Sequence, residues 1–312
     1  MNLICMNGLL NIDKPSGLTS HDVVGRVRHI LHERRVGHTG TLDPFATGVL
    51  LVLVGRATRL AQFLSGTDKE YDAIIRLGYS TETGDITGAP LSKPQATTGW
   101  AENQIETAMA SLRGEIEQTP PMYSAKKIAG RKLYELARRG EEVERKPIRV
   151  CIHQFASIRP DGELIKDNRD GTFDFHVRVR CSSGTYVRTL AEDFGKRLGV
   201  GAHLAELKRT TVGNFQLTDA ITLDQLRTQF AEEGLGTILV PPEVALSHMP
   251  FVHLSDSDAR KVQHGMEVET EGEWADGTTV RMCDESGELI AVGNYRTDVR
   301  RLQPRVVITP AE

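Results

Sequence analysis

The spacing of apolar positions along this 312-residue chain changes several times, and each change marks an element. Residues 9–17 read as a short strand that runs into a turn at Pro15 and Gly17. Thr19 or Ser20 then caps a helix whose apolar residues Val23, Val24, Val27, Ile30 and Leu31 fall at helical spacing. Residues 49–54 are uninterruptedly apolar, which fits a buried strand or the start of a helix; periodicity alone does not separate the two. Residues 71–77 alternate as a strand, 78–90 form a polar loop, and 101–112 form an amphipathic helix. After the break at Pro120-Pro121, a short helix is predicted over 132–139, ended by Gly140, and strands over 147–158 and 173–181. A helix over 186–198 is closed by Gly199. Strands and helices mix without a regular βαβ period, so the pattern predicts an α+β fold. Beyond Pro241-Pro242, short strands separated by turns at Gly265, Gly272, Asp276-Gly277 and Ser286-Gly287 predict a small β-barrel.

Composition narrows the class. Hydrophobic residues at 39% and a mean hydropathy of -0.30 describe a globular chain, and the longest apolar run is far too short for a membrane span. Met1-Asn2-Leu3-Ile4-Cys5 does not read as a secretory leader, so a cytoplasmic protein with no membrane partner is expected. The four cysteines lie far apart without a CxxC pair, which argues against a disulfide framework and a thiolate metal site. No heptad seam calls for a partner, and a monomer is expected. The net charge of -4 would argue against nucleic acid, but it hides a gradient. Residues 126–149 carry nine Lys/Arg against four Glu, and 176–210 carry seven basic against three acidic residues. Residues 219–290 carry four basic against fifteen acidic residues, so the first two stretches can form a basic face while the acidity sits elsewhere.

Candidate chemistry concentrates in residues 37–48, where three glycines and a proline surround the carboxylate of Asp43. A single placed carboxylate is a candidate nucleophile or general base; the plainer alternative is an Asx-turn in which Asp43 accepts backbone N–H groups. No Lys-Ser/Thr follows the last glycine, so the segment is not a P-loop. A nucleotidylyltransferase opening would need a histidine shortly after the second glycine, and Val49 and Leu50 stand after Gly48 instead. His29, His32 and His38 lack carboxylates at ligand spacing and give no metal site. Arg188, at the start of a helix after a Gly turn, can pair with a carboxylate or a phosphate, and Tyr71 can stack on a base or fill the core.

Taken together, Leu10 through Gly17, Gly37 through Gly48, Lys69-Glu70-Tyr71, Thr83-Gly84-Asp85, Tyr123 through Lys127, Gly184 through Leu190, Ala202 through Thr210 and Leu302-Gln303-Pro304 resemble the bacterial tRNA pseudouridine-55 synthases, the TruB family. The resemblance covers nearly the whole chain. It implies a mixed, largely antiparallel sheet flanked by helices over residues 1–245, an insertion at 120–150 that closes over the T loop, and a PUA-like RNA-binding barrel over 246–312. It also implies isomerisation of uridine 55 in the T arm of tRNA with no cofactor and no metal. By the same resemblance Asp43 is the nucleophile, Arg188 its partner and Asp85 a brace for Arg188. Tyr71 stacks on the flipped base and can assist proton transfer, while His38 fills the place the base leaves. Tyr186 and Leu207 line the uracil pocket, Lys14 belongs to the motif beneath the site, and Lys126 and Lys127 stand in the insertion facing the RNA. A non-catalytic RNA-binding or tRNA-folding protein on the same scaffold is the alternative, with the nucleotidylyltransferase behind it.

Overall fold

The computed structural model describes residues 7–94, 99–124, 126–128, 130–159 and 162–309. Its largest feature is a sheet whose main path runs Gly8–Lys14, Thr47–Val54, Ala202–Val212, Lys69–Leu77, Phe173–Cys181, Ile148–Ser157, Gly114–Gln118. Neighbours along this path are antiparallel except at one seam, where Lys208 and Arg209 pair in parallel with Thr47 and Gly48. Two antiparallel blocks therefore meet in a ladder of two residue pairs, and the loop that carries Asp43 enters the sheet there.

The apolar run at 49–54 is the inner part of a strand buried on both faces. Val49, Leu51 and Leu53 pack into one cluster, and Leu50, Val52 and Val54 into another. Burial on both sides removes any need for alternation, which is why the sequence leaves strand and helix unresolved. The strand Lys69–Leu77, by contrast, alternates strictly, with Lys69, Tyr71, Ala73, Ile75 and Leu77 on the buried face. Against that face lies the helix Val187–Arg197, whose Val187, Leu190, Ala191 and Phe194 share a core with Tyr71, Ile75, Phe155 and Phe175. The Phe194 ring contacts Phe155 and Phe175 with centroids 5.5 and 5.2 Å away. Burying such side chains stabilises by roughly 1.5–3 kcal/mol each, which makes this helix a rigid mount for Arg188.

The first helix, Ser20–Leu31, starts at Thr19. The Thr19 hydroxyl accepts from Asp22 N and the Asp22 carboxylate accepts from Thr19 N, a reciprocal cap that fixes where the chain turns beside the Asp43 loop. The insertion holds a two-residue hairpin, Lys127–Ile128 with Arg131–Lys132, and a short helix, Leu133–Ala137, inside the span predicted as helical. The side chain of Lys127 lies outside the described residues.

The C-terminal strands form a five-stranded half-barrel in the order Phe251–His253, Thr279–Cys283, Leu289–Arg296, Arg301–Val307, Val268–Glu269. A helix, Asp256–Gln263, capped by Ser255, adds to the strands the sequence predicts there. Cys283, Leu289, Val292, Val306 and Ile308 share one apolar cluster with Leu9, Val49, Leu51 and Leu53. No helix among the described residues is long and apolar enough to cross a membrane.

Candidate active site

The loop between the strands Val36–Thr39 and Thr47–Val54 is held by contacts to its backbone. Beneath it, the fully buried Lys14 donates from Nζ to Pro15 O at 2.9 Å, Pro44 O at 3.2 Å and Ala46 O at 2.6 Å. Ser20 Oγ accepts from Leu42 N at 2.9 Å, and Gly17 N donates to Pro44 O at 2.8 Å. At the far end Gly48 has φ +97°, and a Cβ there would stand 2.2 Å from Arg209 O, so only glycine lets the loop close onto the neighbouring strand.

With its backbone satisfied elsewhere, the loop leaves the Asp43 carboxylate facing Arg188. Nε of Arg188 lies 2.9 Å from Oδ2 and Nη2 lies 3.1 Å from Oδ1, a two-pronged pair. The Asp43 carboxylate thus engages a guanidinium in place of the backbone N–H groups of the Asx-turn alternative. Arg188 is itself fixed from several sides: it donates to Thr83 O at 2.8 Å and Tyr123 O at 2.6 Å, and Asp85 Oδ2 lies 3.6 Å from its Nη1. Asp85 is held in turn by Thr83 Oγ1 at 2.7 Å, Thr87 Oγ1 at 2.5 Å and Thr87 N at 3.0 Å. The Arg188 side chain is buried, whereas the Asp43 side chain is 31% exposed and opens to a cavity.

That cavity, about 260 Å³, is lined by Asp43, Tyr71, Lys126, Tyr186, Arg188 and Leu207, together with Lys69, Ser124, Ser182 and Arg209. It is slightly below the ~300–1,000 Å³ typical of small-molecule pockets and suits a single base. Six of the sequence-predicted residues therefore converge on one space. Three do not line it. Asp85 and Lys14 are buried, Asp85 beside Arg188 and Lys14 against the loop backbone, in the places of the brace and the floor that the resemblance implies for them. His38 sits on the strand Val36–Thr39, outside the cavity lining, with Nδ1 buried and unpartnered.

The electrostatics follow from burial. Burial pushes the Asp43 carboxyl above the usual range while Arg188 pulls it back, and the two-pronged pairing favours the ionised form. Burial raises the Tyr71 phenol, opposed by the nearby Arg209, and raises the Tyr186 phenol. Lys14 is pushed down to about 8 by burial, against the attraction of Asp43, and Lys69 to about 8 by burial and by Arg209. Burial also lowers His38.

Sequence reasoning passed over Arg209 and Lys69 as individual residues. Both stand inside quoted motifs, and the available signal was a basic residue among strand positions otherwise apolar. Gln118 was also missed; its side chain accepts from Tyr186 N at 2.9 Å and donates to Tyr186 O at 3.3 Å, fixing one cavity wall. No cluster of metal-ligating side chains occurs among the described residues.

Comparison with known proteins gives consistent matches along the chain. Residues 28–187 match the TruB family pseudouridylate synthase N-terminal domain, 188–247 the tRNA pseudouridylate synthase B C-terminal domain, and 250–308 the pseudouridine synthase II TruB C-terminal domain. The tRNA pseudouridine synthase B of Bacillus pumilus is 45% identical over 290 residues, covering 92% of each chain. That of Geobacillus thermodenitrificans is 45% identical over 260 residues, covering 83% of this chain and 85% of the relative. Among solved structures, a Cbf5-Nop10-Gar1 complex superposes with a TM-score of 0.74 at 29% identity, covering 97% of this chain and 85% of that one. An H/ACA RNP bound to a substrate RNA containing 2'-deoxyuridine superposes with a TM-score of 0.73 at 27% identity over the same shares. The carboxylate–guanidinium pair at the mouth of a base-sized cavity thus lies within a chain matched by family domains from residue 28 to 308, and the chain belongs to the TruB family of pseudouridylate synthases.

Proposed function

We propose that this chain converts uridine 55 in the T arm of tRNA to pseudouridine, with Asp43 as nucleophile and without a cofactor. The observation that carries the reading is the Asp43–Arg188 pair at the edge of the cavity, where one carboxylate is oriented, ionised and left open on one side. A base inside a folded loop must be extruded to reach it, at a cost of a few kcal/mol. Tyr71 then stacks on the uracil, Tyr186 and Leu207 close its sides, and His38 fills the gap in the RNA.

The N1–C1′ bond breaks with Asp43 either bonding to C1′, a bond that breaks again when C5 attacks, or removing the C2′ proton, which returns as C5 bonds to the glycal. The uracil turns within the cavity and C5 bonds to C1′, and the proton then lost from C5 is balanced by the one gained at N1. The exchange is redox-neutral and takes no group from outside, because the substrate's own base is the nucleophile of the second step. Lys126 and Lys127, within the insertion at 120–150, face the RNA backbone, and residues 246–312 form a second, PUA-like RNA-binding domain behind the catalytic domain at 1–245. The protein works as a cytoplasmic monomer.

The test uses purified protein and an unmodified tRNA transcript, with pseudouridine mapped by position. Wild type forms pseudouridine at position 55, while Asp43→Asn binds the transcript and forms none. Product at the wild-type rate from Asp43→Asn refutes the nucleophile, binding without product by wild type supports the RNA-binding alternative, and ATP-dependent pyrophosphate release supports the nucleotidylyltransferase.

A further inference from the structure

We propose that Arg209 is a positioning residue that locks the Asp43 loop and the Tyr71 strand to one another, so that nucleophile and stacking ring close on the same base. The inference rests on the reaction proposed above and concerns a residue with no role in it so far. Arg209 is 1% exposed and is among the largest fully buried side chains. No carboxylate among the described residues lies within ion-pair distance of it. Leucine or methionine at such a site would fill the space without desolvating a charge, so the guanidinium has to be explained by what it holds.

It holds two backbone oxygens, and its side chain also hydrogen-bonds the Tyr71 phenol. Nε donates to Val49 O at 2.7 Å, just past the end of the nucleophile loop, and Nη2 donates to Gly40 O at 2.9 Å, three residues before Asp43. The main chain of Arg209 adds two further contacts. On one side it pairs in parallel with Gly48, where the missing Cβ admits its carbonyl; on the other it pairs antiparallel with Tyr71. One residue therefore meets both ends of the loop and the strand that carries the ring. It does so at the two-pair parallel seam, where the ladder itself gives little rigidity. A register shift directly follows, between Arg209 and Thr211, which frees the side chain to aim across the seam. Lys14 grips the same loop from below at Pro44 O and Ala46 O, so two buried cations hold three of its carbonyls and one of the strand that follows, and none of these contacts uses the Asp43 side chain.

The experiment is single-turnover pseudouridine formation by Arg209→Ala on a T-arm stem-loop, with and without millimolar guanidinium. Loss of registry lowers the rate at saturating substrate by about 100-fold and changes KM by less than about threefold. Guanidinium ions restore at least about tenfold of that loss, and methylammonium or sodium ions at the same concentration do not, because only the planar fork spans both carbonyls. A saturating rate within about threefold of wild type, a loss confined to KM, or equal recovery with sodium ions overturns the proposal. If Arg209→Ala does not fold, Arg209→Lys decides: a single ammonium reaches one carbonyl, so the saturating rate falls about tenfold at unchanged KM, and a wild-type rate overturns the proposal. Should wild type form no pseudouridine, the functional reading fails on its own. Amide exchange across residues 40–46 then still reads the lock, faster in the Arg209 variant if it exists and unchanged if it does not.

Discussion

Lys14→Met tests the reading that the floor of the site contains a cation buried at a cost. Lys14 is fully buried, its ammonium touches only carbonyl oxygens, and burial holds it near 8 against an ordinary 10.5. Below pH 8 both folded and unfolded chains carry the proton, and the folded state bears the whole penalty, about 3 kcal/mol for this displacement. Between 8 and 10.5 the unfolded chain binds more protons than the folded one, so the contribution of Lys14 to stability rises with pH. Worked through the two values, the gain from pH 7 to 9.5 is about 2 kcal/mol. Methionine has no proton to lose, and at every pH it leaves Pro15 O and Ala46 O without a donor, while Pro44 O keeps Gly17 N. The stability difference between wild type and Lys14→Met should therefore widen by about 2 kcal/mol over this interval, measured by urea unfolding at pH 7, 8, 9 and 9.5. Lys69, displaced in the same direction, is present in both proteins and cancels in the difference. A difference that stays flat or narrows as pH rises refutes the buried-cation reading. Because Asp43 is the attraction that partly offsets burial at Lys14, Asp43→Asn should start the rise at a lower pH.

Tyr71→Phe keeps the ring and removes the phenol; if the hydroxyl moves a proton, the saturating rate falls by about 100-fold or more while KM stays put, measured in single turnovers. Gly48→Ala, whose Cβ would meet Arg209 O at 2.2 Å on a φ of +97°, should unfold several kcal/mol more easily by urea titration, roughly beyond the ~1 kcal/mol usual for Gly to Ala. Gly184→Ala, also at positive φ but with nothing within 4 Å, should cost only about 1 kcal/mol in the same assay. Neutralising Arg131, Arg138 and Arg139, all exposed in the insertion, should flatten the salt dependence of tRNA binding by roughly 0.7–0.9 in slope per contacted phosphate. An unchanged slope would remove the insertion from the interface.

Asp43 and Arg188 stand out in the sequence by composition, a carboxylate among glycines and an arginine opening a helix, whereas their pairing and the places of Tyr186, Leu207 and Lys126 follow only from the family resemblance. Where reading stopped, long-range geometry decides. The strand Ala202–Val212 passes through the middle of the sheet, yet its alternation is broken by register shifts between Leu204 and Glu206 and between Arg209 and Thr211, so no clean period of two survives. Leu207 and Arg209 lie on the regular stretch between the two shifts, share one face of the strand and line the cavity. The helix Asp256–Gln263 is eight residues with two inward positions, Ala259 and Val262, too little apolar signal to stand out among turns. The depth at which Lys14 and Asp85 lie is invisible in sequence, since burial of a charged side chain depends on what the fold packs around it.

Charge shows the same dependence on place. Arg296, Arg300 and Arg301 close the chain in a basic cluster, yet each faces an acidic side chain of the same half-barrel: Arg296 Nη1 lies 2.9 Å from Glu267 Oε1, Arg301 Nη2 lies 2.8 Å from Glu269 Oε1 and Arg300 Nη2 lies 3.6 Å from Glu273 Oε1. The acidic excess after residue 219 is thus partly consumed locally and screens these arginines from a distant phosphate. In the insertion the geometry differs, since Arg131, Arg138 and Arg139 are exposed and have no carboxylate within ion-pair distance among the described residues. Long-range attraction of RNA depends on unneutralised charge within about a Debye length, ~8–10 Å at moderate salt. On that criterion the insertion, beside the cavity mouth at Lys126, is the segment expected to attract RNA over a distance, and the half-barrel is expected to add at most short-range contacts. Removing residues 246–312 should then slow association little, while stripping the cover from Leu9, Val49, Leu51 and Leu53 and lowering thermal stability. A truncated chain with full stability and slow association would reverse that assignment.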